Sequence, residues 1–284
     1  MPITHTLLRY PGGKTKLFPY VADLFKENDL MDGHYVEAYA GGAGLGISLL
    51  VKGYARYIHL NDLDPSIYAF WWSLIHKNEE FVHLIEKTAV TVEEWVKQKN
   101  IQAQGEHNNL LALGFSTFFL NRTNISGIIK GGLIGGKDQV GKYKLDARFT
   151  KSTLIKKARL IGFYKSRFTI YNQDAAKFLS DTAKSLPQNT LINLDPPYYV
   201  KGKALYQNWY SHEDHVAIAD IVPSLQQYWM ITYDNVDAIH ELYKKFYRIE
   251  YGLQYSAHRR VIGKEVMIID PRLILPDIRY LSVA

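Results

Sequence analysis

The chain has 284 residues, 47% of them hydrophobic, enough for a packed core and in keeping with about two domains. It contains no cysteine, which excludes disulfides, thiolate zinc sites and cysteine nucleophiles and fits a reducing, cytoplasmic setting. Its net charge of +6 is concentrated: Asn121 to Arg167 holds twelve Lys or Arg against only Asp138 and Asp146, which calls for a polyanionic partner, nucleic acid being the commonest.

No apolar run approaches the roughly 18 residues of a membrane span, and the opening MPITHTLLRYPGGK lacks the pattern of a secretory leader. RYPGGKTKL at 9 to 17 ends like a phosphate-binding P-loop, but Leu8 stands where that loop needs its first glycine. Lys14 is therefore expected to act as a cation for a carboxylate, with Tyr10 as a stacking face. HYVEAYA at 34 to 40 reads as a first strand, followed by the glycine turn GGAGLG at Gly41 to Gly46 and an apolar helix start. Small residues there let the backbone approach a ligand, and the helix N-terminus offers free N–H groups to an anionic group. The second strand, 55 to 62, ends in Asp62, placed to accept hydrogen bonds from the ribose of an adenosine-containing cofactor. Asp64, before Pro65, suits a helix cap.

Residues 66 to 165 read as mainly helical, with a capping box expected at Thr91 to Glu94 and a buried apolar stretch at NNLLALGFSTFFL. Asn121 to Gly141 contains six glycines and little apolar periodicity, so it is expected to be a mobile loop or hairpin. Arg122, Thr123, Asn124 and Ser126 are donors suited to phosphates and base edges. For Asn121 and Arg122 a purely structural role, capping the preceding helix and bracing the loop, is an equal alternative.

A third strand, 167 to 174, ends in Asp174; Asp174 and Phe178 are placed to flank a cofactor base. The fourth, LINLDPPYY at 191 to 199, stops abruptly at Asp195, Pro196, Pro197 and Tyr198. A short apolar run bounded by breakers suits a central parallel strand, whose carboxyl end is where open α/β sheets bind ligands. The prolines force the backbone out of the sheet with its carbonyls free. One carboxylate, one free carbonyl and an aromatic face suit an amino group on a planar ring, such as adenine. The basic, aromatic segment 200 to 210 is expected to order on substrate. His212 and His215 in SHEDH are read as part of a helix start at Ser211 and Asp214 rather than as metal ligands. A fifth strand at 228 to 235 and a pair, YRIEYGLQY and EVMIID, complete seven, with the basic segment SAHRR, including Arg259 and Arg260, able to reach phosphate.

YPGGK at 10 to 14, VEAYAGGAGLG at 36 to 46, LND at 60 to 62, NRTNISG and LDPPYY at 194 to 199 occur in an order that resembles the Dam-like adenine-specific DNA methyltransferases over nearly the whole chain. The resemblance implies a Rossmann-like, seven-stranded S-adenosylmethionine-dependent methyltransferase fold: a catalytic domain from 1–66 and 166–284, and a mainly helical inserted DNA-recognition domain from 67–165. It implies S-adenosylmethionine as cofactor, held by Tyr10, Lys14, Glu37, Ala40, Gly41, Gly42, Asp62, Asp174, Phe178 and Asp195. Asp195, Pro196, Pro197 and Tyr198 match the catalytic tetrapeptide. A target adenine in double-stranded DNA would be flipped out and stacked on Tyr198, its amino group held by Asp195 and the Pro196 carbonyl. The insert, with Lys130, Lys137, Lys142 and Lys144 beside the donors above, would bind DNA. It departs from the hairpin of GATC-reading members, which suggests a phage or restriction-modification context and a cognate restriction endonuclease as partner. No membrane partner and no metal are expected. The alternatives are N4-cytosine or RNA adenine methylation and, more remotely, a nucleotide-dependent oxidoreductase, which leaves LDPPYY and the basic insert unexplained.

Overall fold

The computed structural model describes residues 4–10, 12–105, 109–199, 210–255 and 261–277. The chain forms two compact units, one of Met1–Thr4, Gly13–Asp64 and Tyr171–Ala284, the other of His5–Gly12 and Pro65–Ile170. Among the described residues no helix is long and apolar enough to cross a membrane.

The sheet has seven strands: β1 (Gly33–Glu37), β2 (Ala55–Asn61), β3 (Phe168–Tyr171), β4 (Thr190–Leu194), β5 (Tyr228–Asp234), β6 (Tyr247–Tyr255) and β7 (Val261–Ile269), in the spatial order β3-β2-β1-β4-β5-β7-β6. β1 runs parallel to β2 and β4, and β4 parallel to β5, whereas β7 lies antiparallel between β5 and β6. Every residue of β4 is buried, as the unbroken apolar run of a central strand requires. The order turns back between β1 and β4, so the carboxyl ends of these neighbours open the crevice in which such sheets bind ligands. α1 (Phe18–Glu27) carries proline in its first turn and buries Tyr20, Val21, Leu24 and Phe25 at helical spacing. The Asn28 amide at its end donates to Leu24 O at 2.9 Å, satisfying a terminal carbonyl.

β1 is shorter than the expected 34 to 40. It ends at Glu37, the chain bending at Ala38 and Tyr39 and then passing through positive φ at Gly41 and Ala43 (both +44°) before α2 (Gly44–Val51) begins. β7, in contrast, starts at Val261, four residues before the expected EVMIID.

The second unit is helical: α3 (Pro65–His76), α4 (Asn78–Lys87), α5 (Val92–Gln104), α6 (Leu110–Thr123) and α7 (Lys151–Phe163). Phe70, Phe81, Phe115 and Phe118 form its centre, with Phe81 and Phe118 centroids 5.4 Å apart. Gly114 lets α6 approach α3, since a Cβ there would lie 2.3 Å from the Ala69 carbonyl oxygen. Thr91 caps α5 by accepting from the Glu94 N–H at 3.2 Å. The glycine-rich segment after α6 is a compact turn: Asn124 bridges antiparallel to Leu133, Ile125 N–H donates to Gly132 O at 2.9 Å, and Ile134 N–H to Thr123 O at 2.9 Å.

Candidate active site

Three strand ends of the first unit are bound to one another by side chains. Asn61, closing β2, donates its amide to Ala38 O and Gln173 O, both at 3.0 Å, and accepts from Gln173 N–H at 3.1 Å. Asp62 follows: Oδ2 accepts from Gly41 N–H at 2.9 Å and Oδ1 from Asp64 N–H at 3.0 Å. Burial pushes the Asp62 carboxyl up to about 7, against the pull of those amides. Glu37, closing β1, is buried and accepts from Gly46 N–H through Oε1 at 2.8 Å. Burial and the nearby Asp195 push its carboxyl up to about 8, while the Gly46 amide and Lys14 oppose the shift. A Cβ at Gly46 would meet Glu37 Oε1 at 3.0 Å and the Tyr35 ring at 3.2 Å, so glycine is what lets the helix start lie against this carboxylate.

Asp195, just past β4, is held through one oxygen. Oδ1 accepts from Lys14 Nζ at 2.7 Å and from Thr232 Oγ1 at 2.9 Å, and no described residue donates to Oδ2. The Lys14 ammonium is buried; its carboxylates are Asp195 and, at 3.7 Å, Glu265 Oε2. Lys14 Nζ also stands 5.5 Å from the centroid of the Tyr198 ring, whose hydroxyl donates to Glu265 Oε1. Tyr199 N–H donates to Asp234 Oδ1 at 2.9 Å.

Around this centre lie Tyr39, whose hydroxyl donates to Tyr210 at 3.1 Å, and His215, whose Nδ1 is 3.0 Å from the Tyr233 hydroxyl. Ser211 and Asp214 form a full capping box, and His212 Nδ1 contacts the Tyr199 hydroxyl at 3.0 Å. Among the described residues no group of three or more His, Cys, Asp or Glu could hold a metal ion. Asp174 is exposed and caps its helix by accepting from Lys177 N–H at 3.1 Å. Phe178 is fully buried, packed on Tyr171 with centroids 5.0 Å apart, while Ala40 and Gly42 are buried in the turn. Sequence reasoning missed Thr232, Tyr251 and Glu265, which sit inside ordinary strand patterns.

A family model describing the D12 class N6 adenine-specific DNA methyltransferases matches residues 10–257, most of the chain. The chain belongs to this family. Its activity is accordingly S-adenosylmethionine-dependent methylation of adenine N6 in DNA. No curated protein matches the chain. Three solved structures similar to this D12 methyltransferase share little sequence with it. A conserved hypothetical protein of Streptococcus pyogenes is 12% identical, with 85% of this chain and 88% of that one covered and a TM-score of 0.33. A Pyrococcus horikoshii protein described as an RNA methyltransferase is 10% identical, with 90% and 86% covered and a TM-score of 0.39. A Listeria monocytogenes protein described as a class I S-adenosylmethionine-dependent methyltransferase is 10% identical, with 92% and 62% covered and a TM-score of 0.38. The family match, and not these likenesses, carries the assignment.

The remaining candidate residues of this methyltransferase lie in its second unit or outside the described residues. Tyr10 is half-buried. Thr123 and Asn124 are fully buried: Thr123 Oγ1 donates to Phe119 O at 2.8 Å, and Asn124 accepts from Trp95 Nε1–H at 2.6 Å and donates to Ile128 O and Ile129 O. Asn121 accepts from Arg9 N–H at 2.7 Å and donates to Arg9 O and Gly127 O, a bracing arrangement. Arg122 is largely buried, its Nε without a hydrogen-bond partner among the described residues. Desolvation, then Arg9 and Arg148, lower its pKa to about 10. Ser126 is half-buried at φ +57°, while Lys130, Lys137, Lys142 and Lys144 are exposed. Arg259, Arg260 and the segment 200–209 lie outside the described residues.

Proposed function

We propose that this D12 methyltransferase acts on an adenine flipped out of double-stranded DNA at a specific site, and that Asp195, Pro196, Pro197 and Tyr198 receive the base. The observation that carries the reading is the one-sided grip on Asp195: among the described residues, Lys14 and Thr232 hold Oδ1 and none donates to Oδ2, which would be open to a substrate. An adenine amino group has two N–H donors. Oδ2 would accept one and the Pro196 carbonyl, to which no described residue donates, the other. Drawing both protons into the plane of the base aims the nitrogen lone pair out of that plane. The Tyr198 ring supplies the stacking face and Pro197 the stiff backbone that holds it. The proton released on transfer can pass to Asp195 or to water. Positioning and electrostatics supply most of the rate enhancement, and no covalent enzyme intermediate is required.

The chemistry of the donor set fits S-adenosylmethionine. Bound, it supplies an electrophilic methyl group on a sulfonium sulfur. The Asp62 carboxyl has lone pairs left for ribose hydroxyls beyond its two backbone amides, and the Glu37–Gly46 turn presents a buried carboxyl group and glycine backbone to the rest of the molecule. Lys14 and Tyr10, with Ala40, Gly41 and Gly42, would complete the site, and Asp174 and Phe178 would border the adenine ring, Phe178 from within the core. Toward DNA, the exposed Lys130, Lys137, Lys142 and Lys144 would supply positive charge, and Arg259 and Arg260, which lie outside the described residues, would add to it. Arg122, Thr123, Asn124 and Ser126 would act chiefly by shaping the glycine-rich turn. The divergence of the insert from GATC readers supports a cognate restriction endonuclease as functional partner, and DNA as substrate supports a cytoplasmic setting.

The test is Asp195→Ala. The variant should still bind DNA but lose methyl transfer; turnover at the wild-type rate would refute the assignment.

A further inference from the structure

Glu265 is a buried carboxylate that no catalytic step above uses, and it is only 1% exposed. Burial pushes its carboxyl above the usual range, Lys14 opposing and Asp195 adding to the shift. A strand position pointing into an apolar core would ordinarily carry Val or Ile. The partners of the carboxylate say what it does instead. In the ladder, Glu265 of β7 stands opposite Asp234 of β5 and opposite Tyr251 of β6, so the three form one row across the sheet. Asp234 takes the Tyr199 N–H at 2.9 Å. Glu265 takes the Tyr198 hydroxyl on Oε1 and the Tyr251 hydroxyl on Oε2, the latter at 2.6 Å. Lys14 links Glu265 Oε2, at 3.7 Å, to Asp195 Oδ1, at 2.7 Å. The row thus grips the DPPYY turn at the backbone after Tyr198, at the tip of the Tyr198 ring and, through Lys14, at Asp195.

We propose that Glu265 is a positioning residue that fixes the Tyr198 ring and the Asp195 carboxylate relative to each other, so that stacking face and amino-group acceptor reach the target base as one rigid unit. This rests on the roles proposed for Asp195 and Tyr198. A phenol hydroxyl and an ammonium cannot both be held by an apolar residue there. A neutral amide keeps an acceptor for the hydroxyl but loses the charge that shares Lys14.

The experiment is a double-mutant cycle of Glu265→Gln and Tyr198→Phe, with Glu265→Leu as a harsher third variant, on a duplex whose methylated site has been mapped with the wild-type enzyme. Misplacing a reacting group by about 1 Å costs on the order of a hundredfold in rate. The expected result is that kcat falls about ten- to a hundredfold in Glu265→Gln, with KM for S-adenosylmethionine and melting temperature near wild type. The double variant should be no slower than the slower single, because both act on one tether. In the same cycle 2-aminopurine at the target position should fluoresce more brightly in the variants, reporting a flipped base less well stacked on Tyr198. Unchanged kcat in Glu265→Gln, or additive losses in the cycle, overturns the proposal alone. A wild-type enzyme that transfers no methyl group to DNA overturns the functional reading and this proposal with it.

Discussion

Replacing Glu37 by glutamine should flatten the dependence of stability on pH. The amide keeps an acceptor for Gly46 N–H but removes a charge that burial disfavours, and the Glu37 carboxyl is pushed from 4.5 up to about 8. Between these values the folded state holds a proton that the unfolded chain releases, so stability falls as pH rises. Each pH unit costs about 1.4 kcal/mol for a single such group, or roughly 3 kcal/mol between pH 5 and 7. Below about pH 4.5 both states are protonated and the effect vanishes. Urea unfolding of wild type and variant at pH 5, 6, 7 and 8 isolates the contribution, since every other titrating group, including Asp62, is common to both. The variant should gain on the wild type by about 1 kcal/mol or more per pH unit up to pH 7. A difference that stays constant from pH 5 to 8 would mean that Glu37 does not keep its proton in the folded state.

Lys14→Met removes the ammonium between Asp195 and Glu265; breaking such a buried pair should cost about 3 kcal/mol, discounted somewhat for the quarter-exposed Asp195, and should abolish turnover. Urea unfolding and a methyl-transfer assay measure both effects. Gly114→Ala forces a Cβ to 2.3 Å from the Ala69 carbonyl and 2.4 Å from Ser73 Oγ, so α3 and α6 must separate, at roughly 3 kcal/mol by the same unfolding measurement. Asn124→Ala strips partners from Trp95 and from the carbonyls of Ile128 and Ile129. Hydrogen exchange should quicken across 125–135, and DNA affinity should fall while S-adenosylmethionine affinity holds.

Features carried by local chemistry could be read from the chain. β4 announces itself as an apolar run cut off by Asp195 and two prolines, and Ser211 with Asp214 spells a helix start that the capping box bears out. The glycine turn between Glu37 and α2 is equally visible, because positive φ at Gly41 and tight packing at Gly46 restrict what residues can stand there. What depended on pairing across the sheet was hidden. Glu265 meets Tyr198 across 67 positions, and in KEVMII it looks like one polar residue in an alternating strand. Thr232 likewise looks like a β-branched strand residue until Asp195 is found beside it. In the second unit, Thr123 and Asn124 carry side chains that suit phosphates and bases, yet they are buried and serve neighbouring backbone. Residue type alone cannot say toward which side a donor faces, and a buried polar group takes the nearest partner.

Adenine methylation is checked by incubating the enzyme with isotopically labelled S-adenosylmethionine and unmodified duplex DNA of varied sequence, digesting the product and identifying the labelled nucleoside. The expected product is N6-methyladenine, confined to a short sequence that mapping would reveal. Label in N4-methylcytosine, or no label in DNA despite bound cofactor, would contradict it.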